Sequence, residues 1–188
     1  KMTAPGLTEP MLVMSNEVLE VSAAPGVGGR IVEIIDRKTL TNQVRIDYSQ
    51  LKGLVELQWA YTYWDTFNNE LKNAKYSSVI TPSGFTLTAD GKGFKASKLF
   101  SMIAGKSEFR YNLAFTNTSS ENKDITYRCH NEYNVGGTAD NVNDVIMLPT
   151  TSGLTKIPVW LGLGARTHSP LKAGWGAIYD KKQKLLFG

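Results

Sequence analysis

From Ser77 onward the chain is a succession of short alternating segments cut by turn residues, and that rhythm leaves few architectures open. Phe109, Tyr111, Leu113 and Phe115 recur at a period of two, the spacing of a strand with one face turned to a core. Ser78–Thr81, Phe85–Ala89, Phe94–Ile103 and Glu108–Asn117 read as strands. Between them lie Pro82-Ser83-Gly84, Asp90-Gly91-Lys92-Gly93 and Gly105-Lys106. Glycine takes positive φ without a Cβ clash, and Asp-Gly favours tight hairpins. Asp124–Val135, Val145–Leu148, Ile157–Trp160 and Trp175–Tyr179 continue the series.

The N-terminal part has the same character. Met11–Asn16, Val18–Ser22, Arg30–Asp36 and Gln43–Tyr48 are short strand segments, with Ala24–Gly29 (APGVGG) as a turn. Apolar residues fall on both phases of Arg30–Asp36, so both its faces are expected to be partly buried. Leu51–Asn73 is ambiguous: Trp59, Tyr61 and Tyr63 alternate like a strand, while Thr66–Asn73 also accommodates a helix. No linker or repeat divides the chain. The expectation is one all-β domain over residues 1–188, an antiparallel β-sandwich. The closing Leu185–Gly188 run reads as the start of a strand, with the natural chain expected to continue.

Composition narrows the function classes. The 188 residues are 41% hydrophobic and 20% charged, enough for a packed core. The net charge of +4 is spread without a basic block, which argues against nucleic acid as a partner. No apolar run approaches the roughly 20 residues of a membrane span. A single cysteine excludes an intrachain disulfide framework and assigns no compartment. A periplasmic or secreted location is favoured over a cytoplasmic one.

The chemistry concentrates in Thr126–Gly137, TYRCHNEYNVGG, which holds the only cysteine and one of the two histidines. On a strand, Arg128, His130 and Glu132 share one face and Tyr127, Cys129 and Tyr133 the other. Such a triplet suits proton transfer or sugar binding, and equally a wetted face. His130 and Glu132 would stand ~7 Å apart along the strand. Cys129 sits beside Tyr127's phase and reads as an inert thiol.

Other motifs give less. Gly26-Val27-Gly28-Gly29 lacks GxGxxG spacing and no helix follows, so it reads as a turn rather than a phosphate loop. Cys129, His130, Glu132 and His168 do not converge as transition-metal ligands by spacing. Asp140, Asn141, Asn143 and Asp144 could offer oxygens to calcium, though not as an EF-hand. No metal site and no cofactor is expected. Trp59 and Trp64 could stack on sugar rings with Asp65 accepting hydroxyls, or fill a core. Asn117-Thr118-Ser119 fits a glycosylation sequon and equally a polar loop.

Three stretches resemble the galactose-mutarotase-like β-supersandwich proteins: APGVGGRIVEIID at Ala24–Asp36, FRYNLAFTNTSSEN at Phe109–Asn122, and CHNEYNVGG at Cys129–Gly137. The third is similar to the family's NHxYFNLxG segment. The resemblance implies a supersandwich fold and a carbohydrate ligand. It places the family's general acid, which protonates the ring oxygen of an aldose, at His130. The family's base, a glutamate far toward the C-terminus, has no match up to Gly188, and no histidine precedes His130. Glu132 is a second catalytic candidate, and Arg128, Trp59, Trp64 and Asp65 are the substrate-binding candidates. The expected function is carbohydrate recognition, within a glycan-processing protein. An aldose 1-epimerase using His130 and a structural β-domain are the alternatives, because fold alone does not fix function.

Overall fold

The computed structural model describes residues 10–44, 56–59, 71–123, 127–131, 133–137, 142–159 and 172–188. In chain order its strands are β1 (Leu12–Ser15), β2 (Leu19–Ala24), β3 (Arg30–Asp36), β4 (Thr41–Asn42), β5 (Glu56–Trp59), β6 (Ser77–Thr81) and β7 (Gly84–Gly91). They continue with β8 (Phe94–Met102), β9 (Phe109–Asn117), β10 (Tyr127–His130), β11 (Asp144–Thr150), β12 (Gly153–Pro158), β13 (Ala177–Asp180) and β14 (Leu185–Phe187). The fold is all-β, antiparallel and sandwich-like, as the alternation predicts. Among the described residues no helix is long and apolar enough to cross a membrane. The chain forms two compact units: Lys1–Leu40 with Val44–Tyr133, and Thr41–Gln43 with Asn134–Gly188.

The first unit is built on two antiparallel sheets, β1–β2–β3 and β6–β7–β8–β9. In the second sheet, alternate residues of β8 point inward: Phe94, Ala96, Lys98 and Phe100 are all buried, while Lys95 and Leu99 are exposed. Their partners Leu87 and Phe85 on β7 are buried as well. Phe85, Phe100 and Tyr111 form an aromatic rank across three strands, with ring centroids 5.3 and 5.2 Å apart. Val21, Ala23, Ile31 and Ile34 supply the other sheet's fully buried positions. Each such aliphatic or aromatic side chain contributes roughly 1.5–3 kcal/mol by leaving water.

β3 spans the predicted residues and explains why both of its phases are apolar. The β2–β3 register shifts between Ser22 and Ala23, so that Glu33 and then Ile31 are partnered and Val32 is the extra residue. This bulge lets Ile31 and Val32 both be buried. The Pro25–Gly29 stretch is a turn, as expected. Gly28 and Gly29 take φ of 69° and 56°, and a Cβ on Gly28 would collide with the carbonyl oxygen of Lys72.

That turn is strapped to 72–76. Gly28 N–H donates to Ala74 O at 2.8 Å, and Tyr76 N–H to Pro25 O at 2.9 Å. Buried Arg30 donates from Nη2 to Lys72 O and Asn73 Oδ1, both at 2.7 Å. Lys98, fully buried between Leu87 and Leu113, donates from Nζ to Gly28 O at 2.7 Å and Gly29 O at 3.2 Å. Its ammonium stands 4.9 Å from the centre of the Tyr76 ring. Burial pushes the Tyr76 hydroxyl well above the usual phenol range.

The hairpins are as tight as the turn residues suggest. Gly91 is the last residue of β7 and pairs with Phe94, so the β7–β8 loop is Lys92-Gly93, with Gly93 at φ 77°. Of the expected strand over Asp124–Val135, residues 124–126 and Glu132 lie outside the described residues. Among the described residues, regular pairing runs over Tyr127–His130, Tyr133 makes one bridge to Val44, and Val135–Gly137 curls into a 3-10 turn. Gly136 and Gly137, at φ 80° and 70°, take the backbone out of extended geometry. Of the expected Gln43–Tyr48 strand, only Gln43 and Val44 fall among the described residues.

In the second unit the strand order is β12–β11–β13–β14. Its apolar burial is thinner, with Val135, Val145, Ile157 and Ala177 as the buried hydrophobics among the described residues. Polar clamps accompany them. The buried Gln43 amide accepts from Gly136 N–H at 2.8 Å and donates to Thr41 Oγ1 at 2.8 Å. Asn134 N–H donates to Gln43 O at 2.8 Å. Buried Asp180 accepts, through Oδ1, from Lys182 and Gln183 N–H at 2.7 and 2.9 Å. Its Oδ2 lies where a Cβ on Gly136 would be.

Candidate functional site

The candidate site is the ribbon of β5 and β10. Both strands alternate on their own: Glu56 and Gln58 against Leu57 and Trp59, Arg128 and His130 against Tyr127 and Cys129. The antiparallel register preserves this separation. Tyr127 is partnered with Trp59, Arg128 with Gln58, Cys129 with Leu57 and His130 with Glu56. Directly opposed residues share a face. One face of the ribbon therefore carries Glu56, Gln58, Arg128 and His130, and the other Leu57, Trp59, Tyr127 and Cys129. A one-residue slip would oppose polar to apolar along the whole ladder, which is why this register is specified.

The apolar face has a visible anchor. The Tyr127 ring is 5.2 Å from that of Phe115 on β9, tilted by 49°, and Phe115 in turn lies 6.1 Å from Phe94. Tyr127 stays half exposed, so the ring covers Phe115 without entering the core. The polar face is the opposite one.

The expected residues are placed as follows. Arg128 and His130 share the polar face. Trp59 belongs to the apolar face, so the register does not bring it together with them. Glu132, Trp64 and Asp65 lie outside the described residues, as do Asp140, Asn141 and His168. Asp144 is not a loop residue: it opens β11, is buried, and is partnered with Asp180 on β13. Among the described residues no group of three or more His, Cys, Asp or Glu side chains converges on one point. Asn117 is occupied within its own loop. Its Oδ1 accepts from Ser119 N–H and Oγ at 2.9 and 2.8 Å, and its Nδ2 donates to Glu121 O at 2.7 Å.

Two features escape a reading of the sequence by motif. Glu56 and Gln58 precede most of the aromatic stretch, and only the cross-strand register shows that they are partnered with His130 and Arg128. Lys98 had a signal: it occupies an inward phase of Phe94-x-Ala96-x-Lys98-x-Phe100, where a charge breaks the apolar pattern.

No family model, curated protein or solved structure matches the chain.

Proposed function

We propose that the chain is a carbohydrate-recognition β-domain of a glycan-processing protein, and that the polar face of the β5–β10 ribbon is its ligand surface. The observation that carries this reading is the register, which gathers Glu56, Gln58, Arg128 and His130 on one face. A sugar offers adjacent hydroxyls, each both donor and acceptor. A carboxylate accepts, a guanidinium donates in a fixed fork, and an amide and an imidazole do both. Four such groups in two opposed pairs match a vicinal diol and its neighbours. The resemblance of Cys129–Gly137 to the mutarotase-like segment favours the same ligand class. It also supplies the second reading, an aldose 1-epimerase in which His130 protonates the ring oxygen, since an imidazole titrates near neutrality.

The test is a panel of mono- and oligosaccharides, including glucose and galactose, followed by ligand-observed NMR and calorimetry. At least one sugar should bind, and Arg128→Ala should weaken it by at least about tenfold, near 1.4 kcal/mol. Trp59→Ala, on the other face, should change affinity less. Polarimetry of fresh α-glucose or α-galactose separates the two readings: a decay accelerated by the protein and abolished by His130→Ala marks the epimerase. A folded protein that binds none of the panel would sink the carbohydrate reading.

A further inference from the structure

Among the described residues β6 is an edge strand of its four-stranded sheet, with β7 as its one neighbour. It is held flat and in place. Its pairing with β7 runs without a bulge from Ser77 opposite Thr88 to Thr81 opposite Gly84. Tyr76 N–H, just before it, is tied to Pro25 O, and Pro82-Ser83 turn it directly into β7. Ser77, Ser78, Val79 and Ile80 are all exposed, Val79 by 64% and Ile80 by 75%. Open edges accept a further strand, and they are ordinarily blunted by a charge, a proline or a bulge. The SSVIT segment carries none of these. The other edge of the same sheet is different: β9 bears Arg110, 3.9 Å from Glu108, and the Tyr127 ring lies against its Phe115.

The backbone phase of β6 fixes what can pair with it. The two-residue turn makes Thr81 and Gly84 a hydrogen-bonded pair. The N–H and C=O groups of Thr81, Val79 and Ser77 therefore point to β7, and those of Ile80 and Ser78 point off the edge. Tyr76 is on the latter phase, and its bond to Pro25 O shows that this phase faces away from β7. A second β6 laid antiparallel and centred on Val79 satisfies the outward groups of both copies, because Ser78 of each exchanges both bonds with Ile80 of the other. Centring on Ser78 would instead call on the Tyr76 N–H, which is already taken, and centring on Ile80 would oppose Ser78 to Pro82, which has no N–H. The side chains agree with the Val79 register. Val79 opposes Val79 of the second copy in a non-hydrogen-bonded pair, where side chains come closest, and Ser77 opposes Thr81. The two Ile80 side chains are diagonal neighbours about 7–8 Å apart. The nearest charge along the strand, Lys75, falls opposite Ser83 rather than opposite its own copy.

We propose that β6 is a homodimerisation edge: two copies of the chain pair antiparallel through Ser77–Thr81 about a twofold axis at Val79, joining their sheets edge to edge. The contact uses the same strand on both copies, so it closes at two. Strands this short bury less than the roughly 1,200 Å² of a stable interface, so the dimer is weak and concentration-dependent.

Sedimentation velocity on the whole chain should show monomer at about 5 μM and at least half dimer at about 500 μM. In hydrogen exchange the Ser78 and Ile80 amides should slow as concentration rises, while the Val79 amide, already bonded to β7, should not follow them. Val79→Lys and Val79→Glu, at an exposed position, should stay folded by circular dichroism and each remain monomeric, because like charges are directly opposed. Mixed in equal amounts, they should form a dimer holding one of each. Leu154→Lys, at an exposed leucine of the second unit, should dimerise like the wild type. Wild-type protein that stays monomeric at the highest concentration, grows beyond two copies, or shows no change in Ser78 and Ile80 exchange overturns the proposal. So does a folded Val79→Lys that still dimerises, or a lysine–glutamate mixture that stays monomeric.

Discussion

Lys98 in the first unit and Asp180 in the second are both buried charged side chains that hold backbone, and they do so over different distances along the chain. Lys98 donates to carbonyls 70 and 69 residues away, tying a strand of one sheet to the glycine turn that joins two strands of the other. Asp180 accepts from amides two and three residues ahead, closing its own hairpin. The cation takes carbonyl oxygens and the anion takes N–H groups, so each satisfies the half of the peptide bond that suits its charge. One clamp is tertiary and the other local. Loss of the first opens an interface between sheets, while loss of the second loosens a turn.

The largest test of that contrast is Lys98→Met, which keeps length and apolar packing and removes the ammonium. It leaves Gly28 O and Gly29 O without this donor, and a buried group so orphaned costs about 1–3 kcal/mol. Chemical denaturation should show a fall of at least that size, and a variant as stable as the parent would break the comparison. Gly136→Ala comes next. At φ 80° a side chain costs roughly 1–2 kcal/mol from backbone alone, and the new Cβ also meets the Asp180 carboxylate. Asp180→Ala should cost about 0.5–2 kcal/mol, the size of a lost cap. In the double variant the clash is gone, so the two losses should sum to more than the pair together costs. Strict additivity in thermal melts would mean that the Gly136–Asp180 contact carries no energy.

The smallest expected effect lies at the far end of the first unit. Glu17 Oε2 accepts from Gly105 N–H at 2.9 Å. Its carboxyl is held below the ordinary value of 4.5, first by its own backbone N–H and then by that of Gly105. A depressed carboxylate contributes stability that is present above the unfolded value and is lost as pH falls through the folded one. Glu17→Gln should therefore leave neutral-pH stability nearly unchanged and flatten the acid limb below 4.5. An acid limb identical to that of the wild type would show the bond to be idle.

The difference between the two clamps also separates what was readable in the sequence from what was not. The hairpins are legible because Pro82-Ser83 and Lys92-Gly93 act within a few residues. So is the inward phase of β9, since alternation is local. The bulge at Val32 was visible only as apolar residues on both phases. Beyond β10 Tyr133 and Val135 keep the alternation of a strand, while Gly136 and Gly137 and the Gln43 amide impose a turn. Arg128 and His130 were recognisable as one face of a strand. Their partners Glu56 and Gln58 were not, because register joins segments about 70 residues apart and no local pattern records it.

The Gln43 amide gives the chain a timetable. Its bond to Gly136 N–H spans 93 residues. At a synthesis rate of 5–20 residues per second, Gln43 waits roughly 5–20 s for that partner to be made. Within that interval β5 to β10, the described strands of the first unit that follow Gln43, are synthesised. The three residues Thr41–Gln43 must stay available while the chain on both sides of them folds. A variant that lets them pair early with the wrong strand would show its defect in yield during synthesis before it showed one in the stability of the finished protein.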